Sequence, residues 1–371
     1  MTRLRRALEG IAQETPLVDN LAEGALRGYR RRRRTRRIVA SAFTAAVVVA
    51  GGVLTAGALR PAAPVEVGSA GVQELPDLPE GAVGPAGRAY LVPCDYDRES
   101  KELDCSSSEW RLVTRSGKTY RLPRATAHAD GDRVPVAISR DGRFLAFYDA
   151  TAGAHVVRDL VSGPEVVSRV RVEPSKVGPG SMLVLSDDGR HLFFDPREGS
   201  AAPGLLVDVA GGKSEPVSGV YEAVSIKDGM LQLVRYIKTD HWLRPVSGKS
   251  GRPVLFDGAY IMFSEPAPDG ARVVAVEHAT MAKRVLSVLD AKKGKVLRRL
   301  TLDGLPKQGG LAGTGLWLSD SEVTVFFDAG KGGVRAYAVD VRSGRLRLLE
   351  KYTGAAELVA LPGQAAGDGS F

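Results

Sequence analysis

The sequence predicts an all-β domain, arranged as a six-bladed β-propeller and set behind one transmembrane helix. Three observations predict it. Beyond residue 88, short apolar runs rich in Val, Leu, Phe and Tyr alternate with Gly-containing turns, and no helical period develops. Two turn sequences recur through that region at the spacing of a propeller blade. Upstream, residues 38–59 form a run of 22 residues without a charge.

The first 87 residues are explained by where the charge lies. The chain has 371 residues and a net charge of +8. Residues 1–37 hold eleven Arg against Glu9, Glu14, Asp19 and Glu23, a net +7, whereas residues 60–371 carry only +1. A helix of the 38–59 run would be long enough to cross the roughly 30 Å hydrocarbon layer. Arg30 to Arg34, Arg36 and Arg37 abut its N-terminal side, and Arg60 alone lies close on the other. The positive-inside rule then places residues 1–37 in the cytoplasm and the bulk of the chain outside, as a single-pass protein of the cell (plasma) membrane. The alternatives are a buried soluble helix and a cleaved signal peptide, the latter with Ala56-Gly57-Ala58 as the cleavage site. That reading needs a 37-residue basic region and an apolar run longer than usual. An Arg block can also grip nucleic acid, but against an apolar span it acts as a topology signal and a contact for anionic lipid, so no nucleic-acid partner is expected.

Within the tail, Leu4, Leu8, Ile11 and Ala12, then Val18, Leu21, Ala22, Ala25 and Tyr29, fall at helical spacing. Two short amphipathic helices are expected. They are too small for a core and would lie on the membrane or dock a cytoplasmic regulator through residues 1–29. Residues 60–87 contain Pro61, Pro64, Pro76, Pro79 and Pro85 among glycines and are expected to form an extended spacer.

The two cysteines, Cys94 and Cys105, flank a polar, acidic segment. Outside the membrane such a pair is most simply a disulfide closing a hairpin; two free thiols are the alternative. Two cysteines cannot make a Cys-only zinc site. Asp95, Asp97, Glu99, Glu102 and Asp104 invite calcium, but the loop lacks the glycine and the terminal bidentate Glu of an EF-hand.

The propeller, residues 88–362, is read from its turns. Asp-Gly recurs at Asp141-Gly142, Asp188-Gly189, Asp228-Gly229 and Asp269-Gly270, with a degenerate copy at Ser319-Asp320-Ser321-Glu322. A second turn places glycine at Gly117, Gly163, Gly212, Gly248, Gly294 and Gly344, at intervals of 46, 49, 36, 46 and 50 residues. Asp159, Asp208, Asp290 and Asp340 precede four of these copies. Two hairpin turns per unit mean four strands, and six copies mean six blades. The first blade lacks the Asp-Gly turn. The apolar run 357–361 is expected to supply its inner strand, so that the C-terminus closes the ring and protects its edges. Residues 363–371 are then a flexible tail.

The strand, Ser-x-Asp-Gly-Arg, strand, Asp-x-x-Ser-Gly pattern resembles the repeats of TolB-like and WD-repeat-like bacterial propellers, over about residues 89–361. The Trp-Asp and Gly-His signatures of true WD repeats are missing. The overall layout also resembles bacterial membrane proteins that accompany extracytoplasmic-function sigma factors. These resemblances imply a binding role and, for the tail, a sigma factor or similar regulator as partner.

Catalytic constellations do not emerge. The sequence has no Gly-x-Ser-x-Gly elbow, Walker loop or His-Glu-x-x-His pair. The glycine-rich stretch 309–315 lies between strands and is expected to be an inter-blade loop. His128, His155, His191, His241 and His278 are scattered over several units. Asp141, Asp187, Asp188 and Asp269 are expected to shape turns, and Phe193, Phe194, Trp317, Phe326 and Phe327 to pack the sheets. No catalytic, cofactor-binding or metal-ligating residue is assigned. The expected function is binding of a protein, peptide or envelope ligand by the extracytoplasmic propeller; the alternatives are transmembrane regulation through the tail and a propeller hydrolase or lyase.

Overall fold

Six four-stranded antiparallel sheets follow one another along the chain in a computed structural model. It describes residues 75–367 apart from 97–102, 130–131, 179, 198–199, 201, 237–238, 249–250, 331–332 and 353–357. The basic tail, residues 1–37, and the expected span, residues 38–59, lie outside the described residues. Among those described, no helix is long and apolar enough to cross a membrane.

Blade one contains β1 (Ala86–Leu91), and a small hairpin, β2 (Asp95–Tyr96) and β3 (Leu103–Asp104), leads from it to β4 (Trp110–Thr114) and β5 (Thr119–Arg121). A second small hairpin, β6 (His128–Ala129) and β7 (Asp132–Arg133), leads into blade two: β8 (Ala137–Ile138), β9 (Phe144–Asp149), β10 (Ala154–Asp159) and β11 (Glu165–Arg171). Blade three is β12 (Met182–Leu185), β13 (His191–Asp195), β14 (Gly204–Asp208) and β15 (Lys213–Val217). Blade four is β16 (Glu222–Lys227), β17 (Met230–Arg235), β18 (Asp240–Pro245) and β19 (Val254–Leu255). Blade five is β20 (Tyr260–Ile261), β21 (Arg272–Glu277), β22 (Val285–Asp290) and β23 (Val296–Thr301). Blade six is β24 (Gly310–Trp317), β25 (Glu322–Asp328), β26 (Val334–Asp340) and β27 (Leu346–Tyr352). The last strand, β28 (Leu358–Ala360), returns to pair with β1, Leu91 opposite Leu358 and Ala89 opposite Ala360. The ring therefore closes as the sequence predicts.

The period of two along each strand explains the core. Successive side chains point to opposite faces, so each central strand packs against both neighbouring blades. Phe193 belongs to the cluster shared with blade four and Phe194 to the cluster shared with blade two. Phe327 faces blade five, with Trp317, and Phe326 faces the closing segment at Leu361. The outermost strands of blades two, three, five and six are exposed at most positions, as in β27. Between blades six and one the buried cluster is small, Ala312, Phe326, Ala336 and Leu361.

The recurrent turns work through side chains as well as glycine. In blades two and three the Ser hydroxyl donates to the turn aspartate (Ser139 to Asp141, Ser186 to Asp188, both 2.7 Å), which in turn accepts the backbone N–H of Arg143 or Arg190. Only at Asp228-Gly229 do both residues take positive φ, 50° and 70°, the geometry of a two-residue hairpin. In the second turn type, Asp159, Asp208, Asp290 and Asp340 accept N–H groups two or three residues on.

Three expectations are corrected. Residues 75–85 are not a free spacer. The N–H of Leu78 donates to Arg121 O, Val83 and Gly84 donate to Leu160 O, and Leu78 and Val83 pack on the core between blades one and two. The C-terminal end is not a flexible tail from residue 363. Gly363 donates to Ile138 O, Leu183 and Ala366 exchange two backbone bonds, and Ala366 is buried. Residues 361–366 thus run along the free inner edges of β8 and β12. The glycine stretch 309–315 is not an inter-blade loop: most of it is β24, the inner strand of blade six. At Gly315 the strand is crowded, since a Cβ there would lie 2.7 Å from Gln364 Nε2 and 2.9 Å from the Phe326 ring.

Two histidines are core residues. His155 packs between Tyr148 and Phe194. His241 packs against Phe256 and Phe263, with Nε2 3.2 Å from Gln232 Nε2. Burial lowers both from 6.5 to about 4. The unfolded chain takes up these protons near pH 6.5 and the folded chain near pH 4, so between those values the unfolded state binds more protons. The stability is complete above about pH 6.5 and drains as pH falls toward 4, by up to about 3 kcal/mol per histidine. Urea midpoints measured from pH 7 to pH 4.5 should fall accordingly. The pair His155→Phe and His241→Gln should flatten part of that slope; an unchanged slope would contradict the assignment.

Candidate functional site

The first strands of blades two, three and four each lead into an Asp-Gly turn, and the slot immediately before Asp-Gly is the same in all three. That slot holds Arg140, Asp187 and Lys227. Because the inner strands surround the axis, their ends converge at one end of the channel. Ser186 and Ile226 form a parallel bridge between blades three and four, and Pro362 bridges to Ile138 beside Arg140. Blade five adds Glu265, and blade six the backbone of Trp317.

Glu265 is the hub of this cluster and is 4% exposed. Its Oε1 and Oε2 accept Arg140 Nε at 3.1 and 3.2 Å, and Oε1 accepts the Trp317 N–H at 2.8 Å. Arg140 also donates through Nη2 to Trp317 O at 2.7 Å. The buried Lys227 ammonium lies 3.9 Å from Glu265 Oε1 and donates to Pro266 O at 2.8 Å. Five of the six blades thereby contribute to one charged assembly.

Asp187 differs from Glu265 in being half-buried. Burial is the main reason its carboxyl is pushed up to about 6; the Glu265 and Asp228 charges add to this, and Arg140 and Lys227 oppose it. It does not shape its turn, which is the work of Asp188, so the expected role of Asp187 is corrected. The Ser139 and Ser186 hydroxyls beside the cluster already donate to the turn aspartates. The arrangement is suited to receiving a cationic group at Asp187, whose charge balances the two cations and one carboxylate of Arg140, Lys227 and Glu265.

Arg140 connects this cluster to a cavity of ≈ 230 Å³ at the junction of blades six and one, lined by Arg115, Phe326, Tyr352, Leu361 and Gln364 among others. Its walls are mixed apolar and polar, as ligand cavities usually are.

The remaining singled-out residues lie elsewhere. Cys94 and Cys105 are joined in a disulfide, with Cα atoms 4.3 Å apart. His128 lies beside it, with Nε2 3.5 Å from Cys94 Sγ. Of the acidic segment, Asp95 and Asp104 pair across β2 and β3, while Asp97, Glu99 and Glu102 lie outside the described residues. His191 begins β13, and His278 opens a short 3-10 turn. Phe193, Phe194, Trp317, Phe326 and Phe327 are all buried, as packing residues should be.

The sequence reading missed Arg140 and Lys227 as site residues; charge at the slot before Asp-Gly in three consecutive units is the signal that could have found them with Asp187. Glu265 occupies a different position in its blade, so the repeat pattern carries no sign of it.

The chain is similar to several solved structures. TolB from Acinetobacter baumannii is 14% identical over 74% of this chain and 66% of its own, with a TM-score of 0.47. A chain of the nidogen/laminin complex is 10% identical over 75% of this chain and 95% of its own (TM-score 0.41), and the dihydro-heme d1 dehydrogenase NirN 16% over 76% and 59% (TM-score 0.42). No family model and no curated protein matches the sequence.

Proposed function

We propose that the chain is a single-pass membrane protein, N-terminus in and propeller out, whose propeller binds a protein, peptide or envelope ligand at the Asp187 end of the channel. The observation that carries the binding site is a half-buried carboxyl, Asp187, held among Arg140, Lys227 and Glu265 where five blades meet. A cationic group, such as a lysine side chain or a peptide amino terminus, complements it. The cavity beside Arg140 offers room for an adjoining apolar side chain. The arginine block before residues 38–59 supports the orientation, and the Cys94–Cys105 disulfide supports an oxidising compartment.

Two measurements test the reading. Protease added to right-side-out vesicles should digest the propeller, and protease added to inside-out vesicles should spare it; the reverse result sinks the topology. Envelope components retained by the purified chain should be held more weakly at pH 5 than at pH 7.5, because Asp187 is charged only above about pH 6. Asp187→Asn should weaken retention about tenfold at the higher pH, the effect of losing one charged hydrogen-bond partner. Retention indifferent to both pH and Asp187→Asn would move the site elsewhere.

A further inference from the structure

The disulfide and His128 meet at a point the channel does not touch. Cys94 follows β1, and Cys105 follows β3. His128 comes from the other small hairpin, β6–β7. One sulfur or nitrogen atom from each residue lies within 4.8 Å of the others. In tetrahedral zinc sites metal–sulfur distances are about 2.3 Å and metal–nitrogen distances about 2.0–2.1 Å, which puts neighbouring donors roughly 3.5 Å apart. The Cys94 Sγ to His128 Nε2 separation is already 3.5 Å.

We propose that, when the disulfide is reduced, Cys94, Cys105 and His128 form a site for a soft divalent cation of the zinc or cadmium class. A dithiol reductant splits the S–S bond. Two electrons and two protons pass to the two sulfurs, and the reductant leaves as its own disulfide. The cation then displaces both thiol protons to solvent and gains two metal–sulfur bonds and one metal–nitrogen bond, with the fourth position left to water.

The scaffold keeps the donors together without the S–S bond. Asp95 pairs with Asp104, and Val92 N–H donates to Glu109 O at 3.0 Å, bracketing both cysteines with cross-strand contacts. Ser108 N–H donates to Cys105 O, Ser107 Oγ to Asp95 and Ser106 N–H to Asp104. On the other hairpin His128 is paired with Arg133. The sulfurs need only rotate apart over a Cα separation of 4.3 Å. The carboxylates of Asp95 and Asp104 next to them favour a dication. In the oxidised chain no thiolate is available and the same three residues bind nothing, so the bond itself gates the site.

The test uses the full chain in mild detergent, reduced with dithiothreitol, desalted without oxygen and titrated with Cd²⁺ alone. The reduced chain should take up one Cd²⁺ with an ultraviolet thiolate-to-cadmium charge-transfer band, and the oxidised chain none. His128→Ala and His128→Gln should each weaken the affinity about tenfold or more. Cys94→Ser with Cys105→Ser should abolish the band, with far-ultraviolet circular dichroism unchanged. Binding by the oxidised chain, no band after reduction, or an affinity in both His128 variants equal to that of the unsubstituted chain would overturn the proposal. Loss of the β-sheet signal on reduction would overturn it too, because the donors depend on the folded hairpins.

Discussion

Ending the chain after residue 357 is expected to open the ring and lower its stability by about 5 kcal/mol or more. The truncation removes β28 and with it the partner of β1. It also removes the backbone bonds of Gly363 and Ala366 to Ile138 and Leu183. Three buried side chains, Ala360, Leu361 and Ala366, go with them. The junction between blades six and one has a small buried cluster and borders a cavity, so little else holds it. The free inner edge of β1 would then be an unpaired strand edge, a template for association. Thermal melts and light scattering of the full and shortened chains give the readout. A shortened chain that melts at the same temperature and stays dispersed would show that the closing segment contributes nothing. A second chain ending after Pro362 separates the two parts: it keeps β28 and Leu361, loses the bonds of Gly363 and Ala366 to Ile138 and Leu183, and should fall between the others.

Glu265→Ala is expected to cost about 3–5 kcal/mol, the usual penalty for breaking a buried ion pair from one side. The Lys227 ammonium would stay buried with Pro266 O as its named partner, and the Trp317 N–H and Arg140 guanidinium would lose their shared acceptor. For a domain of this size the melting temperature should drop by roughly 10 °C. Adding Lys227→Met should recover part of the loss, since it removes the orphaned charge and leaves an apolar chain of similar length. If the double variant is no more stable than Glu265→Ala alone, Lys227 is not coupled to Glu265. This effect is separate from ligand binding. Asp187→Asn should alter retention while leaving the melting temperature nearly unchanged, because Asp187 is half-buried and Glu265 is the hub of the cluster.

The elements the sequence predicted well were those set by local rules. Asp-Gly and Ser-Gly turns, and apolar alternation between them, depend on backbone sterics and on which face of a strand is buried. They identified the six blades and even the return of residues 357–361, because a unit missing one strand implies a donor elsewhere. The same local reading failed at 309–315, where glycines suggested a loop. At Gly315 the cause is not local: Gln364 and Phe326 press against the strand and crowd the place of a Cβ. It failed again at residues 75–85 and 363–366, whose prolines, glycines and alanines look like linker and tail in isolation. Only the grooves and strand edges of blades one, two and three give them partners.

The charge of +8 and its concentration in residues 1–37 are properties of the sequence alone, as is the repeat that makes a propeller. The assembly of Arg140, Asp187, Lys227 and Glu265 belongs to the tertiary structure. These residues are up to 125 positions apart, as Arg140 and Glu265 are. What unites them is ring closure, which brings the ends of separate inner strands to one axis. Desolvation at that axis then raises Asp187 and makes Glu265 a hub. Neither effect has a local cause that a turn or a strand pattern could record.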